Sequence, residues 1–354
     1  MSLAVASIKW LDHRHPAGNK PCPRQGHATA MVNDTIYMFG GSRGLDHPTK
    51  KTSYFSDMFR LSVGKQPEWV EVTQGGDIPE ARDGLTLCAV GSELFLFGGK
   101  NHPNAKQCLP GVYKCDTSNH HWVKCKTNGP EPVTLSHDTA VVRENLYVIG
   151  GIREGQATNR VHLFQTATST WTLLQTQGII LTPRCDHRCA AVDLKIYVFG
   201  GCRGYQKCLN DVYILDTDCL VWSKPEVKGD VPCVRGSHSL TAHSSKYLYI
   251  FGGLSVAGTS DIVLDDLYKL NLDTLTWKKP FFTHVSPAKR FNHSATIYKN
   301  HLYIMYGTNE NEDLFDVSIA RLINPSHRKP LTLPPDEVHS LLRKEKKRER
   351  QKLF

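Results

Sequence analysis

Residues 184–223 read RCDHRCAAVDLKIYVFGGCRGYQKCLNDVYILDTDCLVWS, and four features of this stretch return throughout the chain. The first is an aromatic and β-branched run closed by paired glycines, here IYVFGG ending at Gly201. Its counterparts are YMFGG ending at Gly41, LFLFGG at Gly99, LYVIGG at Gly151 and LYIFGG at Gly253, with a degenerate sixth, LYIMYG, at Gly307. The intervals between these ends are 58, 52, 50, 52 and 54 residues. The second feature is a single tryptophan per repeat: Trp10, Trp69, Trp122, Trp171, Trp222 and Trp277. The third is Arg-x-x-His, found as Arg24/His27, Arg184/His187, Arg235/His238 and Arg290/His293. Repeat two keeps Arg82 but has Leu85, and repeat three keeps His137 but has Thr134. The fourth is an Asp-led alternating segment such as DVYILD (211–216) or DLYKLN (266–271).

Each unit reads as four short strands. A small-residue strand follows the arginine, and the aromatic run supplies the second, favoured by β-branched and aromatic side chains. Its glycines permit a tight bend and close backbone approach. The Asp-led segment alternates with period two, and the tryptophan segment is the fourth strand. No helical periodicity of useful length precedes residue 335. Four strands in units of about 50 residues, repeated six times, predict a β-propeller. The phase of the repeat predicts its closure. Trp10 has no glycine run before it, and the sixth run has no tryptophan after it. The segment around Ala6–Leu11 is therefore expected to supply the outer strand of the unit begun at residues 290–324, hiding edges that a linear array would expose.

The chain has 354 residues, 40% hydrophobic, with 43 Lys+Arg against 34 Asp+Glu for a net charge of +9. This composition excludes a wholly disordered chain. Length alone suggests two domains, but the repeat replaces them with one ring over 1–324 and a tail over 325–354. No apolar run approaches the roughly 20 residues of a membrane span. The start, MSLAVASIKW, lacks the basic and apolar regions of a secretory signal. The eleven cysteines contain no CxxC and are expected as thiols of a cytoplasmic or nuclear protein.

Over residues 6–324 the paired glycines, the preceding aromatics, the Asp-led third strand and the single tryptophan closely resemble the kelch family. The resemblance implies a six-bladed all-β propeller. It leaves function open, because kelch propellers host enzymes, cytoskeletal proteins and ubiquitin-ligase receptors.

Two readings attach to Arg24, Arg82, Arg184, Arg235 and Arg290. Recurrence at one repeat position favours a structural role in which each guanidinium bonds loop carbonyls of its own blade. Resemblance to kelch receptors implies instead that they line a pocket for acidic peptides, which the planar guanidinium fork suits. The loops after the glycines are less symmetric. Repeats one to four carry Arg43, Lys50, Lys51, Lys100, Lys106, Arg153, Arg160, Arg203, Tyr205 and Lys207, whereas repeats five and six carry Asp261, Asp265, Asp266, Glu310, Glu312 and Asp313. One face of the ring is expected to be sorted by charge. The loop GGCRGYQKCLND (200–211) resembles the part of C-terminal-degron receptors that grips a peptide's terminal carboxylate. That resemblance implies a carboxylate held by Arg203, Lys207 and Arg235, with Ser237 as an added hydroxyl donor.

Catalytic signatures are sparse. There is no Gly-x-Ser-x-Gly and no GxxxxGK[ST] loop. Cys185, His187 and Cys189 would share one side of a strand, but a zinc site normally needs a fourth ligand. No cofactor or metal is expected. Sugar chemistry in the propeller channel is the enzymatic alternative.

Residues 325–354 hold nine Lys+Arg against four Asp+Glu, a net of +5, which leaves +4 for residues 1–324. Pro335, Asp336 and Glu337 look like a helix start, and Val338, Leu341 and Leu342 form a short apolar stripe. The basic run from Arg343 to Arg350 reads as a solvated helix, a nuclear-import patch, an RNA contact or a docking helix. Without interleaved aromatics it lacks a base-stacking surface, so a nucleic-acid partner is not expected. Pro335, Val338 and Leu342 resemble the cullin-2 box of kelch-type ubiquitin-ligase receptors, which implies docking to cullin-2 with elongin. No Leu-then-Cys elongin box precedes it, the last cysteine being Cys233. The leading expectation is a non-catalytic substrate-recognition subunit, ahead of a trafficking or cytoskeletal adaptor.

Overall fold

The computed structural model describes residues 8–11, 16–44, 52–64, 67–204, 207–257 and 260–322. Every regular element among them is a β-strand, and six sheets carry the repeat. In blade four, Arg188–Val192, Lys195–Phe199, Val212–Asp216 and Val221–Ser223 pair antiparallel in that order. The innermost strands of the other blades are Ala28–Val32, Asp83–Val90, Asp138–Val142, Ser239–His243 and Ser294–Tyr298. Packed side by side around an axis, they form the wall of a central channel.

The ring closes where the phase of the repeat places the closure. Ile8–Trp10 pairs antiparallel with Val317–Leu322, in the register Ile8↔Leu322 and Trp10↔Ala320. Both Ile8 and Trp10 are buried. The predicted helix over the tail lies outside the described residues, as do Pro335, Val338 and Leu342.

The core is six wedges between neighbouring blades. The residue before each glycine pair meets the tryptophan of the next blade. Phe39 packs on Trp122 at 5.4 Å between ring centroids, Phe97 on Trp171 at 5.2 Å, Phe199 on Trp277 at 5.2 Å, and Phe251 on Trp10 at 5.9 Å. Ile149 joins the cluster of Trp222. Such edge contacts add about 0.5–1.5 kcal/mol each beyond area burial. In the degenerate sixth repeat Tyr306 replaces the first glycine, packs on Trp69 at 6.0 Å, and donates its hydroxyl to the carbonyl of Pro21 at 3.0 Å.

A fifth strand was not legible in the repeat. After its tryptophan the chain adds two residues, such as Gln177–Gly178, in parallel to the outer strand of the next blade. A Cβ on Gly18, Gly76, Gly129, Gly178 or Gly229 would lie only 2.1–2.3 Å from the carbonyl oxygen of the tryptophan it faces. These glycines allow one blade to be stitched to the next.

Candidate functional site: the loop face and channel mouth

The repeated arginines turn inward. Arg24, Arg184, Arg235 and Arg290 are fully buried, and Arg82 is 1% exposed. Nη1 of each donates to a carbonyl at the start of the glycine turn: Gly40, Gly98, Gly200, Gly252 or Tyr306, at 2.8–3.0 Å. Four also meet an aspartate that leads the third strand: Arg24–Asp57 at 2.6 Å, Arg184–Asp211 at 2.7 Å, Arg235–Asp266 at 2.6 Å and Arg290–Asp316 at 3.0 Å. For Arg24, Arg184, Arg235 and Arg290 this corrects the assignment to a peptide pocket: a guanidinium without exposed surface, bonded to the carbonyl and the aspartate of its own blade, is a latch. For the same reason Arg235 does not join Arg203 and Lys207 in holding a terminal carboxylate. Arg82 keeps the carbonyl bond and lacks the aspartate.

The residues around these latches build the channel mouth. The glycine turns and arginine loops share one face of the ring, tied by backbone bonds such as Gly201 N–H to Arg235 O and Gly253 N–H to Arg290 O, at 2.8 and 2.9 Å. Two positions after each arginine position the backbone turns left-handed, at Gly26, Gly84, Ser136, Asp186, Ser237 and Asn292, with φ between 50° and 62°. A belt of backbone hydrogen bonds links them, from Gly84 to Gly26, Asn292, Ser237, Asp186 and Ser136 in turn, at 2.8–3.0 Å. Ser237 therefore stands on the channel mouth.

The next residue is the repeated histidine, buried beneath the belt. Nε2 of His27, His137 and His293 bonds a hydroxyl of the preceding blade: Ser294 at 2.8 Å, Thr86 at 3.0 Å and Ser239 at 3.0 Å. Burial holds His27 down to about 3 and His137 to about 4. It also keeps His187, His238 and His293 well below the usual imidazole value. These are neutral packing groups.

The channel encloses about 440 Å³. One position beyond the histidine the blades contribute Ala28, Thr86, Asp138, Arg188, Ser239 and Ser294 to its wall. Arg188 Nη1 lies 4.0 Å from Asp138 Oδ1, and the backbone N–H of Cys189 donates to Asp138 Oδ2 at 2.5 Å. Burial raises the Asp138 carboxyl above its ordinary value, against the pull of Arg188. Asp83, at the mouth, accepts from Ser42 Oγ at 2.7 Å and is likewise raised by burial. Sequence reasoning missed Asp138 and Arg188, although departure from the small residues found here in four repeats was a usable signal.

Arg203 and Lys207 are exposed and lie together, with Arg203 N–H donating to Lys207 O at 2.9 Å. Cys202 faces Cys185 on one side and Cys208 on the other, and a Cβ on Gly236 would lie 3.0 Å from Cys202 Sγ. The loop thus flanks the strand entry that carries Ser237. Cys202 and Cys208 are joined in a disulfide, which corrects the expectation of thiols throughout: the antiparallel bridge sets them face to face.

Charge sorting on this face is reduced by local pairing. Asp266 is spent on Arg235, Glu310 takes Lys289 at 2.6 Å, and Asp313 accepts from Gly44 N–H at 2.5 Å. Arg153 lies 3.4 Å from Glu154. Lys50, Lys51 and Tyr205 lie outside the described residues. Among the described residues, no group of three or more His, Cys, Asp or Glu is placed to hold a metal, and no helix is long and apolar enough to cross a membrane.

A family model described as the KLHDC2/KLHL20/DRC7 Kelch-repeats domain matches residues 1–201, 46–253 and 186–335. Host cell factor 1 of Homo sapiens is 29% identical over 328 residues, 82% of this chain and 15% of that protein. Kelch domain-containing protein 3 of Bos taurus is 26% identical, covering 71% of this chain and 68% of that protein. Acyl-CoA-binding domain-containing protein 4 of Arabidopsis thaliana is 27% identical over 71% of this chain and 38% of its own length. Apart from the bovine protein, the chain thus spans well under half of these relatives. The solved structure of YjhT superposes with a TM-score of 0.68 at 16% identity, over 85% of this chain and 95% of that one, a likeness of fold.

Proposed function

This chain belongs to the kelch-repeat family of β-propellers, and from that premise we propose that it binds acidic or C-terminal peptide segments on its loop face, as the substrate-recognition subunit of a cullin-type ubiquitin ligase. The kelch propeller supports a protein-interaction module. The observation that carries the finer reading is the pair Arg203 and Lys207. Both are exposed, beside the Ser237 strand entry, and have no ion-pair partner among the described residues. A peptide carboxylate would supply one, with charge-assisted hydrogen bonds. On this reading the chain acts in the cytoplasm or nucleus, with Pro335, Val338 and Leu342 docking cullin-2 and elongin.

A fluorescence-polarisation assay tests the pocket: peptides with a free C-terminus should bind, amidated ones more weakly. An Arg203→Glu, Lys207→Glu double variant should weaken binding at least about tenfold, the loss of one charge-assisted contact. Unchanged binding removes the pocket. Co-purification with elongin B/C and cullin-2, lost on deleting residues 325–354, tests the ligase assignment. Its failure with peptide binding intact would leave a trafficking or cytoskeletal adaptor.

The Asp138–Arg188 pair within the channel favours a second reading, a site for a small polar molecule such as a sugar. Turnover in a screen of sugars and sugar acids, lost in Asp138→Asn, would establish an enzyme.

A further inference from the structure

Blade two breaks the latch in a way that no other blade does. In blades one, four, five and six the arginine meets the aspartate that directly precedes the third strand. Blade three changes both partners: Thr134 replaces the arginine, and Arg160 precedes the third strand at Val161. Blade two keeps the cation and loses only the carboxylate, since Gly111 precedes Val112. Arg82 bonds the carbonyls of Glu80 and Gly98, at 2.9 and 2.8 Å. Among the described residues no carboxylate lies in ion-pair reach of it. A guanidinium 1% exposed without a counter-ion is costly, and burial holds Arg82 below the ordinary arginine value.

Blade four shows what these groups hold when the carboxylate is present. Asp211 takes Arg184 at 2.7 Å and Lys224 at 3.0 Å, and both cations lie over the Tyr213 ring, at 5.0 and 5.1 Å. Blade two repeats that arrangement in Arg82 and Lys124, at 5.5 and 5.6 Å from the Tyr113 ring. A Cβ on Gly111 would meet Lys124 Cε at 2.9 Å and Tyr113 Cε2 at 3.7 Å, so the lysine stem and the ring lie against the residue that stands where the other blades carry their aspartate. The φ of +92° at Gly111 disfavours an L-residue there. Glu131 is spent on the Gly111 N–H at 2.6 Å.

We infer that Arg82, Lys124 and Tyr113 form a binding site for a carboxylate carried by another molecule, an acidic side chain or a peptide C-terminus. It would occupy the position that Asp211 fills in blade four. The aspartates at the four equivalent positions are 10–28% exposed, so a carboxylate at that depth is reachable from solvent. Lys124, itself exposed, forms the movable outer wall. This site is separate from Arg203 and Lys207 and does not rest on their role.

Thermal melting of the full chain in sodium acetate against sodium chloride, at equal ionic strength, tests it. Wild type should be stabilised by acetate more than Lys124→Ala, a comparison that cancels the salting effect common to both proteins, and the acetate concentration needed for the specific shift should rise about tenfold in the variant. Lys224→Ala, where Asp211 already holds the position, should respond like wild type, and Lys124→Ala should produce the same loss in an Arg203→Glu, Lys207→Glu background, which removes any acetate bound at that pair. An acetylated, amidated peptide with one glutamate and a neutral peptide with a free C-terminus then distinguish the two sources. Equal melting of wild type in acetate and chloride, or a response that Lys124→Ala leaves intact, would overturn the site.

Discussion

Arg235 and Asp266 stand 31 residues apart in sequence and 2.6 Å apart in the fold. At the residue scale this pairing decides what the repeated arginine does. The arginine and the Asp-led third strand were both visible as landmarks, but their meeting was not, because the strand that joins them must first fold back. Breaking the pair leaves a buried charge. Asp266→Ala should therefore cost about 3–5 kcal/mol, read from the urea midpoint, whereas a change below about 1 kcal/mol would reduce the latch to a surface ion pair. The paired glycines have an equally specific cause. A Cβ on Gly252 would lie 2.6 Å from Arg290 O and 3.2 Å from His293 Cε1, at φ +61°. Gly252→Ala should destabilise by about 1–3 kcal/mol, seen as a lowered melting temperature. Tyr306 occupies the same turn in blade six at φ 58°, with its hydroxyl held by Pro21.

Strands explain why one repeat could be read from the chain and another could not. Period-two alternation and the tryptophan mark four strands because their side chains bury one face. The fifth carries only two residues, and its signal is a glycine whose missing Cβ matters solely against a neighbouring tryptophan carbonyl. The N-terminal strand was legible from phase alone. It contributes Trp10 to the wedge with Phe251 and Leu302, and its register with Val317–Leu322 closes the ring. Deleting residues 1–12 should lower the melting temperature sharply, since blade six then exposes an edge and a cavity where Trp10 stood. An unchanged melting curve would mean that the ring does not need this strand.

For the ring as a whole, acid should be the weak flank of stability. His27 and His137 are held by burial near 3 and 4 in the folded protein, against about 6.5 in an unfolded chain. Above pH 6.5 their contribution is fully present. Below it the unfolded chain takes up protons that the folded one refuses, so stability falls by about 1.4 kcal/mol per pH unit for each. Asp211 and Asp316 act lower. Burial raises them, but Arg184 with Lys224, and Arg290 with Ser318, outweigh it and hold both below the usual carboxylate value. Their contribution is present above about pH 4 and lost as pH falls through the folded values. Urea midpoints should therefore decline already between pH 6.5 and 5, and a constant midpoint there would show the histidines to be accessible.

By itself the sequence determined the number of blades, the strand order within each and the point of closure. These depend on local alternation and on a period, which a chain carries along its length. Only the tertiary structure decided which charges remain available for a partner. An arginine is a latch or a ligand site according to whether a distant aspartate reaches it: Arg184 meets Asp211, whereas blade two has Gly111 at that position and, among the described residues, Arg82 meets no carboxylate. The same holds for Asp138 and Arg188, 50 residues apart in the chain, whose approach in the channel follows from the stacking of blades three and four. Coulomb energy depends on distance and burial, and both are properties of the closed ring.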